Sequence, residues 1–125
     1  GARLNETLKA AENLKKKGVI ITIVDARFAK PLDENLIWQL AVTHEAIITI
    51  EEGSIGGFGS HVVNFLSKKG LMDTNLKFRS MTLPDIFIDQ DTPENMYKIA
   101  NLDSISIEEK VLDVLNSNII LQKQK

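Results

Sequence analysis

The sequence has no cysteine, which excludes disulfides, thiolate nucleophiles and cysteine-bound metals. Such usage is compatible with a reducing cytosol. Also missing are an apolar run near the length that crosses a bilayer and a charged-then-apolar signal segment, so a soluble, cytoplasmic domain with no membrane partner is expected. There is no charge excess either: 17 acidic residues against 15 basic leave −2, which argues against nucleic acid as the main partner. The one basic run, Lys15-Lys16-Lys17, falls where a helix should end and cations oppose the negative end of its dipole. It reads as a solvated helix end, not a phosphate patch.

What is present suffices for one domain. Of 125 residues, 43% are hydrophobic, enough to bury a core without disulfides or metal staples. Leu4, Leu8, Ala11 and Leu14 recur at helical spacing, and Gly18 should end that helix. Val19 to Val24 is an unbroken β-branched run, as expected of a strand buried on both faces of a parallel sheet. Asp33 can cap a second helix that buries Leu36, Ile37, Leu40 and Ala41.

A second unit of the same kind follows. Ala46 to Ile50 is another buried-strand run, Glu51 to Gly59 is its exit loop, and Val62, Val63, Phe65 and Leu66 form the next apolar stripe, closed by Gly70. Leu76 to Leu83 reads as a weaker strand with one partly exposed face, stopped by Pro84. Thr92 and Pro93 start a short helix to about Ala100. Ile107, Val111, Val114 and Leu115 define a last helix, with Ser106 and Glu109 spaced as a capping box. In the tail, Ile119-Ile120-Leu121 can add a strand or fray.

This alternation predicts an α/β fold, three-layer α/β/α with a mostly parallel sheet. A chain that opens on a helix in such a pattern reads as a fragment whose first strand is missing. In open parallel sheets the loops leaving the carboxyl ends of strands form the ligand crevice. Three segments therefore matter, those after Val24, Ile50 and Leu83.

The first places Arg27 just beyond the strand-end Asp25, with Pro31 stiffening the exit. Its guanidinium can grip a phosphate or carboxylate bidentately, or pair with Asp25 or another local carboxylate and hold the loop. The second, Glu51 to Ser60, is acidic and glycine-rich and lies at the hinge of the domain. It misses both the third glycine of G-x-G-x-x-G and the lysine of a P-loop, and its glutamates repel phosphate. Its glycines are expected to supply positive-φ turns and close backbone approach, to the sheet or to a partner chain. Glu51 and Glu52 are adjacent on a strand end and point to opposite faces, so they cannot act jointly on one atom. His44 and His61 have no metal-ligand spacing, no metal site is assigned, and His44 is explained by the helix C-terminus it follows. Ser54 and Ser60 lack a nucleophile elbow. No catalytic residue is assigned.

Together these loops resemble a known family. Val24-Asp25-Ala26-Arg27-Phe28-Ala29-Lys30-Pro31-Leu32-Asp33, His44-Glu45 leading into Ile48-Thr49-Ile50-Glu51-Glu52-Gly53, Gly56-Gly57-Phe58-Gly59-Ser60, and Leu83-Pro84-Asp85-Ile86-Phe87-Ile88 are similar, in order, to the C-terminal domain of the 1-deoxy-D-xylulose-5-phosphate synthases, which are transketolase-like thiamine-diphosphate enzymes. The resemblance covers residues 1–115, with Gly1 to Leu4 resembling the exit of the family's first strand, and leaves residues 116–125 as a tail, outside it. It implies a full-length homodimeric transferase that joins pyruvate, with loss of CO2, to D-glyceraldehyde 3-phosphate for isoprenoid, thiamine and pyridoxal synthesis. Thiamine diphosphate and Mg²⁺ would be held by upstream domains of the same chain, whose Gly-Asp-Gly motif this sequence does not contain. The fragment would then bind no cofactor and be inactive alone. Arg27 matches the family's arginine for the acceptor phosphate, and the glycine loop, Glu52 and His61 would serve domain or subunit packing. The alternatives are another transketolase-like domain, such as that of a 2-oxoacid dehydrogenase β chain, or a freestanding α/β module that binds a small anion or a protein.

Overall fold

A computed structural model of the chain describes residues 2–25, 33–52, 57–83 and 103–116. In chain order its elements are α1 (Ala2–Lys16), α2 (Glu34–Thr43), β1 (Ala46–Glu52), α3 (Phe58–Lys68), a short 3-10 helix (Leu71–Asp73), β2 (Lys77–Leu83) and α4 (residues 103–116). The backbone divides into two compact units, Gly1–Phe28 with Ile86–Asp113 and Ala29–Asp85 with Val114–Lys125.

In the first unit α1 buries Ala10 and Leu14 completely, while Leu8, placed on the apolar stripe by spacing, is half exposed. The buried stripe is thus rotated part of the way around the helix from the one the leucines suggest, with Leu14 common to both. Polar contacts to α4 explain the rotation: Asn13 Nδ2 donates to Glu108 Oε2 at 3.1 Å, and Lys17 Nζ lies 3.9 Å from Glu108 Oε1. Glu108 is nearly buried, so the Asn13 hydrogen bond counts for more than the ion pair to the exposed Lys17.

The C-terminus of α1 closes as the sequence requires. Gly18 takes φ 84°, its amide donates to the Lys15 carbonyl at 3.0 Å, and the Val19 amide donates to the Leu14 carbonyl at 3.0 Å. These are the paired bonds of a Schellman cap, available to glycine because it has no Cβ. Beyond it, Val19 to Val24, expected as a strand, belong to no strand among the described residues. Residues 19–25 pair with no strand among the described residues, and exposure alternates along them, with Ile20 87% exposed. β-Branched residues favour extended backbone, but a strand also needs a neighbour to take its amides and carbonyls. The period of 2 shows one packed face, not two.

Two further expectations fail on the helices. The chain is already helical from Ala2, where the family resemblance put a strand exit. α4 is already helical at residue 103, the first described residue of its segment, so Ser106 and Glu109 lie inside it and form no capping box; the spacing is simply that of neighbours on one helix face. Asp103 and Ser104 are buried at the beginning of its described part, as is Ile107 further on. The helix predicted from Thr92 and the tail beyond Asn116 lie outside the described residues.

The second unit carries the sheet. β1 and β2 pair in parallel, with Ile47 opposite Phe78, Thr49 opposite Ser80 and Glu51 opposite Thr82. One face, bearing Ile47 and Phe78, packs on Ile37 and Ala41 of α2 and on Val62, Phe65 and Leu66 of α3, with Leu71 beneath. α2 starts as predicted: Asp33 accepts the Leu36 amide at 3.0 Å. Leu36 and Leu40, expected in the core with Ile37 and Ala41, are only partly buried. On the other face Met81 is buried, and Lys77 Nζ donates to the Val114 carbonyl at 3.0 Å. The α/β fold with a parallel sheet therefore stands. Gly70, in the left-handed region at φ 73°, turns the chain into the 3-10 helix that the sequence pattern did not reveal.

Leu66 has no exposure at the centre of this core. Leu66→Ala should cost about 2–5 kcal/mol in urea unfolding; a loss under about 1 kcal/mol would place it outside the core.

Candidate functional site

The carboxyl end of β1 and the first turn of α3 meet in the strand-exit region. Side chains alternate along β1, so Ile47, Thr49 and Glu51 share the face on which α3 packs. That alternation turns Glu51 toward the helix. Its Oε2 accepts the Phe58 amide at 3.1 Å, across a separation of seven residues. Gly57, at the N-cap with φ 101°, has no side chain to cap the helix. The strand-end carboxylate takes that role and places a negative charge at the positive end of α3.

This explains the failure of the phosphate-cradle motifs in physical terms. A helix N-terminus after a glycine-rich loop is a ready anion site, but here the anion is part of the chain. The contact of Glu51 with the Phe58 amide was not among the expectations from sequence. The signal was available in the period-2 pattern of Ile47, Thr49 and Glu51.

One turn into α3 the glycines show their second use. Gly59 is buried, and a Cβ built on it would lie 2.7 Å from Ser80 Oγ and 2.8 Å from Thr49 Oγ1. Thr49 and Ser80 are cross-strand partners, so a pair of hydroxyl side chains on the sheet meets the backbone of α3 at Gly59. Thr49 Oγ1 is buried with no conventional hydrogen-bond partner. The Gly59 methylene fills the space before it, a weak C–H···O arrangement at best. Both uses expected of the loop glycines are realised: positive φ at Gly57 and close approach to the sheet at Gly59.

The remaining candidates separate clearly. His44 is the C-cap of α2, with Nδ1 3.0 Å from the Leu40 carbonyl oxygen and 2.9 Å from Thr43 Oγ1. Thr43 Oγ1 donates to the Gln39 carbonyl at 2.6 Å, which assigns the proton between Thr43 and His44 to Nδ1. His44 thus closes a helix end. His61 and Ser60 are exposed on the first turn of α3, and the His61 ring passes over Gly57. Asp25 is partly buried at the end of its described segment. Arg27, the assigned phosphate contact, lies outside the described residues, as do residues 53–56 and the segment after Leu83. The side chain of Glu52 is likewise outside them.

Among the described residues, no three His, Asp or Glu side chains gather into a group able to hold a metal ion. No helix among them is long and apolar enough to cross a membrane. Residues 1–107 match the sequence model of the family described as Transketolase, C-terminal domain.

Two substitutions test the junction. Gly59→Ala, which in an ordinary helix gains up to about 1 kcal/mol, should here cost about 1–3 kcal/mol by overpacking. In a Thr49→Ala/Ser80→Ala background that cost should vanish; an equal cost in both backgrounds would contradict the close approach. Glu51→Ala should cost about 0.5–2 kcal/mol by removing the cap. Glu51→Gln, which retains an acceptor oxygen, should recover part of the loss. Equal stability of Glu51→Ala and the parent protein in thermal unfolding would rule out a capping role.

Proposed function

The chain belongs to the transketolase C-terminal domain family, and from that premise we propose that it is the C-terminal domain of a 1-deoxy-D-xylulose-5-phosphate synthase. Transketolase-like enzymes depend on thiamine diphosphate. The full-length enzyme would transfer a two-carbon unit from pyruvate, with loss of CO2, to D-glyceraldehyde 3-phosphate. The observation that carries the finer assignment is the ordered set of four motifs, above all Arg27-Phe28-Ala29-Lys30-Pro31-Leu32-Asp33 and Leu83-Pro84-Asp85-Ile86-Phe87. The family match over residues 1–107 supports the setting in which they are read.

The described residues do not fit the cofactor. A diphosphate would meet the Glu51 carboxylate at the N-terminus of α3, and a divalent cation would find no cluster of ligands among them. Upstream domains of the same chain would hold thiamine diphosphate and Mg²⁺, with this domain packed against them in a homodimer. The chemistry left to this chain is recognition. Arg27, on the loop that follows Asp25, would hold the acceptor phosphate through paired N–H···O bonds. Binding energy spent on a remote phosphate orients the aldehyde for attack, so it acts on the second half of the reaction and not on pyruvate.

Arg27→Ala in the full-length enzyme should lower kcat/KM for the phosphorylated acceptor about 10- to 100-fold, the equivalent of a lost charged hydrogen bond. The KM for pyruvate should stay within about twofold, because truncation at the acceptor phosphate removes binding from one substrate only. Steady-state kinetics with each substrate varied in turn reads both. Equal effects on the two substrates would remove Arg27 from phosphate recognition.

A further inference from the structure

We draw no further inference here: the strongest candidate, the N-terminus of α3 with the buried Thr49 hydroxyl beneath its first turn, carries nothing, because the Glu51 carboxylate already caps that helix end and the hydroxyl is sealed against the backbone of Gly59.

Discussion

A single carboxylate joins the strand and the helix of the second unit. Glu51 leaves the end of β1 on the face that meets α3 and accepts the first amide of that helix. Glycine at the N-cap makes this necessary, since Gly57 can take a φ of 101° but offers no side chain to the orphan amides behind it. The strand end and the helix start are thereby fixed together. Below the cap, Gly59 lets the helix sit directly on Thr49 and Ser80, and Val62, Phe65 and Leu66 continue the contact into the core. Cap, close approach and apolar stripe follow one another along α3 and all face one side of the sheet.

That arrangement has an electrostatic consequence for function. In many α/β proteins the loop between a strand and the next helix receives a phosphate at the helix N-terminus. Here the position is occupied from within by the Glu51 carboxylate, so the phosphate contact proposed above is assigned to another strand exit. The loop after Asp25, with its arginine and stiffening proline, has the chemistry for it. Membership of the transketolase C-terminal domain family is the setting in which the proposed division of labour is read, with cofactor chemistry assigned to other domains and acceptor recognition to this one.

Much of this was legible in the sequence, and the exceptions have physical reasons. The Asp33 cap, the Gly18 stop and the stripe of α3 rest on local geometry, which the residues nearly determine. The β1 and β2 runs were also identifiable, although their parallel register is set by pairing between distant segments. Val19 to Val24 shows the limit: its composition favours an extended chain, but no residue pattern states whether a neighbour will take its backbone groups. Leu8 is half exposed and Ala10 buried for a similar reason, because the face α1 buries follows its polar contact through Asn13 as well as its leucines. At the candidate site, glycine use was readable, whereas the Glu51 cap required knowing which strand face α3 covers.

The claim on which this account depends most is that the Phe58 amide is bonded to Glu51, and amide hydrogen exchange measured by NMR tests it residue by residue. A first-turn amide without a partner exchanges nearly as fast as one in an exposed loop. Phe58 should be protected to a degree comparable with Val62 in the interior of α3, and the protection should be lost when Glu51 is replaced by alanine. Exchange of Phe58 at the rate of an open loop in the unaltered protein would contradict it.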